Sequence, residues 1–196
     1  MFLPTRCALC SVPASGVCPA CAVQLGAPPQ APFPACFGYT GAARALVAAL
    51  KYRNARTIAP WLAERLAALV AAPVDVVTWA PTGASRRRHR GFDQGEVLAR
   101  ALGKQLRRPV RRLLARPAGS RPQTGQSRAE RLVGPAFVAR YPMAAYVLVV
   151  DDVVTTGATL RAAQAALIAA GAKSVHCVTI AATAPHTLPV TISSRR

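Results

Sequence analysis

The chain has 196 residues, enough for one medium domain with a small appendage and for a core that needs neither disulfides nor a partner. Its formal net charge is +18, from 25 Lys and Arg against 7 Asp and Glu, a field that attracts polyanions. A GC-rich coding bias toward Arg and Ala would raise the charge in the same way, so charge alone does not choose a partner. No apolar run reaches the ~18 residues of a membrane span, and Met1 to Cys7 lacks the basic lead and long apolar stretch of a signal peptide. A soluble, cytosolic (cytoplasmic) protein with no membrane insertion is the expectation.

Four of the six cysteines crowd the N-terminus, as Cys7-x2-Cys10-x7-Cys18-x2-Cys21. Two Cys-x-x-Cys pairs at this spacing read as zinc-ligand knuckles, with disulfides or an iron site as the alternatives, and four thiolates favour a closed tetrahedral site with no position for substrate. Zinc there is expected to be structural, and to fold a segment with almost no apolar core of its own. Cys36 and Cys177 read as packed or idle thiols. Residues 1–25 are therefore expected to be a zinc-binding knuckle, residues 26–35 a stiff Pro-rich linker, and residues 36–196 the main domain.

Past the linker the chain alternates between helix and strand periods, which predicts an α/β domain with a mainly parallel sheet flanked by helices. Gly41–Lys51 and Pro60–Ala71 carry leucines at helical spacing. Val74–Ala80 reads as a buried strand ending at Pro81. After it comes an arginine-rich loop, Thr82–Phe92, which is either a grip for pyrophosphate or nucleic acid or a solvated basic loop; for the grip, Pro81, Thr82, Arg86 and Arg90 are the candidate contacts. His89 has no assigned role. Asp93 and Glu96 have the spacing of a capping pair ahead of a strong helix. Val110–Ala115 and Ala136–Arg140 could pair around a long polar loop, Arg116–Arg131, of the kind that is either a lid or disordered. Gln126, Arg128 and Arg131 are its candidate contacts on closure.

The most informative stretch is Tyr146 to Leu160, YVLVVDDVVTTGATL. A buried strand over Tyr146–Val150 runs into Asp151 and Asp152, and then into a Thr/Gly turn that opens a helix of about Ala158 to Ala170, closed by Gly171. A helix start offers unpaired amides and partial positive charge, which suit a phosphate monoester. Gly157 permits close backbone approach, and Thr155, Thr156 and Thr159 add hydroxyls. Two carboxylates at a strand's carboxyl end can accept hydrogen bonds from adjacent ribose hydroxyls. No Gly-x-Gly-x-x-Gly or Gly-Lys-Ser/Thr is present, which excludes Rossmann and Walker loops. Ser174–Ala182 reads as the last strand.

At these residues the sequence resembles the type I phosphoribosyltransferases, whose signature is this apolar strand, acidic pair and Thr-rich turn. The resemblance implies that fold, with the four-cysteine knuckle carried in front. It implies that Val153, Thr155, Thr156, Gly157, Ala158 and Thr159 hold the 5-phosphate of phosphoribosyl pyrophosphate (PRPP). Asp151 and Asp152 would then position the sugar as the catalytic pair, and magnesium would accompany the ligand. The double Cys-x-x-Cys, Lys51-Tyr52, Arg90-Gly91-Phe92-Asp93-Gln94, and Gln123-Thr124 with Gln126 and Arg131 narrow the likeness to the ComF (GntX-like) branch. The chain has Gly134 where that branch usually has Asn. That branch implies a link to natural competence, with single-stranded DNA or competence proteins as partners. Three functions stay open at this point: a PRPP-using transferase, a non-catalytic DNA-binding competence factor on the same fold, and a PRPP-sensing regulator.

Overall fold

The computed structural model describes residues 6–52, 55–83, 88, 91–117 and 136–184. Four strands form one wholly parallel sheet: β1 (Ala35–Gly38), β2 (Val76–Trp79), β5 (Tyr146–Val154) and β6 (Ser174–Ala182), in the order β1-β6-β5-β2. The segment after Pro109 extends the sheet beyond β2, with Val77 N–H donating to the Pro109 carbonyl at 2.9 Å and Arg111 N–H to the Val77 carbonyl at 3.0 Å. A short antiparallel pair, β3 (Leu114–Ala115) with β4 (Val138–Ala139), is all that forms of the expected pairing on either side of the polar loop.

Parallel strands need helical crossovers, and these cover both faces of the sheet. Among the described residues, the first four helices are α1 (Pro19–Ala22), α2 (Gly41–Tyr52), α3 (Ala59–Ala67) and α4 (Gln94–Leu106). α2, α3 and α4 cover one face through Leu46, Leu50, Leu62, Leu66, Leu98 and Leu102, all fully buried. α5 (Ala158–Ala169) covers the other with Leu160, Ala163 and Leu167. β5 serves both cores by strict alternation: Leu148 and Val150 face the first, Val147 and Val149 the second. A strand buried on both faces cannot show an alternating sequence, which is why Tyr146–Val150 reads as an unbroken apolar run.

Relative to the sequence reading, the end of α3 and both ends of β2 moved inward, and the end of β5 moved outward. The strand continues through both acids to Val154, with Asp151 in register with Thr179 and Val154 with Ala182. β6 runs to Ala182 beside it, so the backbone groups at Asp151 and Val153 find ladder partners and the strand need not stop at the first carboxylate. Asp93 caps α4 as expected, accepting from Gly95 N–H at 3.0 Å. Glu96 does not close the capping box; it pairs with Arg100 one turn on, at 2.7 Å.

The N-terminal knuckle lies on α3. Cys7, Val17, Cys18 and Cys21 belong to the same buried cluster as Leu62 and Leu66. Gly16, at φ +81°, sits so close to Trp61 that a Cβ there would be 2.5 Å from the Trp61 Cβ. The Trp61 ring is stacked on Phe37 at 6.1 Å and carries the Arg65 guanidinium at 3.3 Å. Among the described residues, no helix is long and apolar enough to cross a membrane.

Candidate functional site

β5 and β2 are neighbours and run the same way, so the turn after Val154 and the loop after Trp79 open at one edge of the sheet. Gly157 caps α5 in the left-handed region, at φ +77° and ψ 2°. Thr155 and Thr156 are exposed, Thr159 is half-buried, and Thr156 Oγ accepts the Ala158 N–H at 3.3 Å. The amides of Thr155, Thr156 and Gly157 have no hydrogen-bond partner among the described residues. The first turn of α5 holds no acid. The turn is thus a set of bare N–H donors at the positive end of a helix dipole, the arrangement that binds an anion. Arg161 adds a cation one turn along, donating to the Thr156 carbonyl at 2.5 Å. It escaped the sequence reading because an arginine at an exposed helical position carries no signal until the turn is folded beside it.

The far side of the turn is filled. A Cβ on Gly157 would lie 2.9 Å from Pro32 Cγ and 3.0 Å from Phe33 Cε2. The Pro-rich segment therefore packs against Gly157, together with the Arg161 guanidinium, whose Nη1 would be 2.9 Å from that Cβ. Gly157→Ala meets both the left-handed strain and this contact, and is expected to cost about 2 kcal/mol of stability by urea unfolding. Ala at Gly41, also at positive φ but with open space around it, should cost less.

The two acids, adjacent in sequence, have different partners. Asp152 is buried: its Oδ1 lies 2.8 Å from Lys51 Nζ, and its Oδ2 accepts from Gln94 Nε2 at 2.9 Å. Both oxygens are thus engaged by the protein itself. Among the described residues, Asp151 accepts only the Asp152 N–H, at 2.8 Å on Oδ1. Burial, and then the charge of Asp152, push the Asp151 carboxyl up to about 8. A carboxyl that holds its proton in the folded state and loses it near pH 4 when unfolded weakens the fold as pH rises between those values, and no further above the upper one. Relative to Asp151→Asn, the native chain should lose about 2 kcal/mol between about pH 6 and pH 9, read from paired urea midpoints.

At the end of β2, Pro81 is buried and its carbonyl accepts from Arg116 Nε at 2.9 Å. Thr82 is tied to the α4 cap, its N–H 2.9 Å and its hydroxyl 3.2 Å from the Asp93 carboxylate. Asp93 therefore joins the loop after β2 to the helix that presents Gln94 to Asp152. Arg86, Arg90, Gln126, Arg128 and Arg131 lie outside the described residues. Lys51 and Gln94 were quoted in the sequence only as parts of short motifs; their meeting at Asp152 depends on three elements far apart in the chain.

The four-cysteine site is assembled. Its sulfurs all lie within 4.8 Å of one another, with Cys10 and Cys18 at 3.6 Å. A tetrahedron of Zn–S bonds of about 2.3 Å has sulfurs about 3.8 Å apart, so this donor set fits the metal. Cys18 N–H points at the Cys7 sulfur at 3.4 Å. Burial works against the Cys7 thiolate, but amide donors from Cys18, Cys10 and Leu9 bring its pKa down to about 6. Cys36 and Cys177 are different: burial pushes both up to about 12, which leaves them as thiols.

The family model for the phosphoribosyl transferase domain matches residues 93–193. The chain belongs to that family. The phosphoribosyltransferase fold expected from Tyr146–Leu160 is thereby borne out, with the strand, acids and turn inside the matched region. Among solved structures the domain is similar to the glutamine PRPP amidotransferase of B. subtilis complexed with ADP and GMP, at 22% identity, TM-score 0.49 and 68% coverage of this chain. It spans only 30% of that protein's length. The adenine phosphoribosyltransferase of Thermoanaerobacter pseudethanolicus is 13% identical, with 66% of this chain and 83% of that one covered at TM-score 0.43. That of Leishmania donovani is 16% identical, with 69% and 68% covered at TM-score 0.39. Curated proteins provide no significant match.

Proposed function

We propose that this phosphoribosyltransferase domain binds PRPP, or a closely related ribose phosphate, with its 5-phosphate on the turn from Thr155 to Thr159. The observation that carries the reading is the set of unpartnered amides at Thr155, Thr156 and Gly157, at the head of a helix without an acid in its first turn. Asp151, with one carboxylate oxygen free of partners among the described residues, is the acid available to the ribose hydroxyls. Asp152, engaged by Lys51 and Gln94, braces that strand end from within. Pro81 and Thr82 begin the neighbouring loop, whose Arg86 and Arg90 are proposed to meet the pyrophosphate, and Gln126, Arg128 and Arg131 are proposed to close over it. Magnesium bound with the ligand would neutralise pyrophosphate oxygens. The N-terminal zinc knuckle, Lys51-Tyr52 and Arg90 to Gln94 support placing the chain in the ComF branch, with natural competence as its setting.

A thermal-shift titration with magnesium and PRPP tests this directly. PRPP at a hundred times its Kd should stabilise the native chain by about 2.7 kcal/mol. Thr159→Glu puts an acid in the first turn of α5, which suits the helix dipole but opposes a bound phosphate, so the variant should fold normally and lose the shift. A native chain indifferent to PRPP, or a variant that still responds fully, overturns the reading.

A further inference from the structure

At the opposite edge of the sheet, where β2 and β5 begin, the surface opens into a cavity of about 730 Å³. The nine residues of β5 separate it from the Thr155–Thr159 turn, a span of roughly 30 Å at the rise of an extended strand. Its walls are pinned. Pro109 and Arg111 are hydrogen-bonded to Val77, Arg140 N–H donates to the Leu113 carbonyl at 2.8 Å, and Met143 N–H to the Ala170 carbonyl at 2.9 Å.

Three exposed arginines, Arg111, Arg112 and Arg140, line this cavity, and their guanidinium groups have no hydrogen bond or ion pair among the described residues. The acid among the lining residues, Asp75, accepts the Tyr146 N–H at 2.9 Å and forms no ion pair among the described residues. Between the arginines lies apolar surface from Val76, Val110, Leu113 and Met143. Tyr141 stands at the rim, 56% exposed, with the Arg140 guanidinium 6.0 Å from its ring centre. Three like charges against the one carboxylate of Asp75 leave the lining net positive, which is unfavourable alone and becomes favourable around an anion. A simple anion has no use for an apolar floor and an exposed ring. A planar base does, and the volume falls in the range of small-ligand sites.

We propose that this cavity is a second, nucleotide-binding site: a nucleoside phosphate lays its base against Tyr141 and the apolar floor and its phosphates on Arg111, Arg112 and Arg140. The site is independent of the turn at the other edge and does not rest on the reading of that turn.

Fluorescence anisotropy with ADP labelled on its ribose is the test. Arg111→Glu/Arg112→Glu alters two exposed side chains and should weaken binding about a hundredfold, and Tyr141→Ala about tenfold. Arg44→Glu/Lys104→Glu changes the net charge equally on exposed residues outside the cavity and should leave binding within about twofold. Thr159→Glu should also leave it unchanged. Four results would each overturn the proposal: equal loss in the two charge-reversed variants, which means general attraction; loss in Thr159→Glu, which places ADP at the turn; displacement by inorganic pyrophosphate at the same concentration as ADP with no effect of Tyr141→Ala, which means an anion patch; and far tighter binding of a single-stranded oligonucleotide with a steep salt dependence, which means a nucleic-acid surface.

Discussion

Stripping the proposed zinc from the four-cysteine knuckle with a chelator should lower the thermal midpoint of the entire chain, beyond melting its N-terminal segment. The segment from Arg6 to Leu25 has only α1, four residues long, as regular structure, and its buried members are mainly the cysteines with Val17. Structural zinc supplies on the order of 10 kcal/mol to such modules, and without it four clustered thiols have little reason to stay together. The effect should spread because Val17 and three of the cysteines are part of the core that contains Leu62 and Leu66, and because Gly16 lies against Trp61. Losing those contacts uncovers Trp61 and one side of α3. We expect one zinc per chain by metal analysis, a midpoint lowered by several degrees with chelator, and a matching change in tryptophan fluorescence. Cys18→Ser should reproduce all three. A chain that carries no zinc and melts identically with and without chelator would refute this account.

Lys51→Met should be among the most destabilising single changes in the main domain, at about 3–5 kcal/mol by urea unfolding. The Lys51 and Asp152 side chains are 18% and 8% exposed, and their charged atoms are 2.8 Å apart. Removing the ammonium leaves a buried carboxylate with, among the described residues, the neutral Gln94 amide as its side-chain partner. Asp152→Asn should cost less, since Lys51 retains more access to water. In Lys51→Met/Asp152→Asn no charge is stranded, so part of the loss should return, with a coupling energy of at least about 1 kcal/mol. Additive losses would show that the pair contributes nothing as a pair. The cycle also separates bracing from ligand contact: if Asp152 chiefly supports the strand end, PRPP should still stabilise the double variant.

Much of the architecture was legible in the sequence because it depends on local chemistry. The Thr/Gly turn of Thr155–Thr159 forms where only glycine tolerates the left-handed geometry, and α4 starts at an aspartate that caps it. The run from Tyr146 to Val150 had to be buried on both faces, which made a parallel sheet the simplest solution. The cysteine spacing alone predicted four sulfurs around one point. Less legible was where β5 ends, because that depends on whether a neighbouring strand continues beside it, and β6 does.

Pattern and spacing thus determined the α/β layering, the glycine turn that opens α5 and the four-sulfur cluster, since each is written within a few residues of chain. Tertiary structure alone decided that Lys51 and Gln94 take both oxygens of Asp152, that Pro32 and Phe33 back Gly157, and that the knuckle rests on Trp61. It alone brought Arg111, Arg112 and Arg140 around one cavity. These are meetings of segments tens of residues apart, set by which helix crosses which face of the sheet, and no local propensity encodes them.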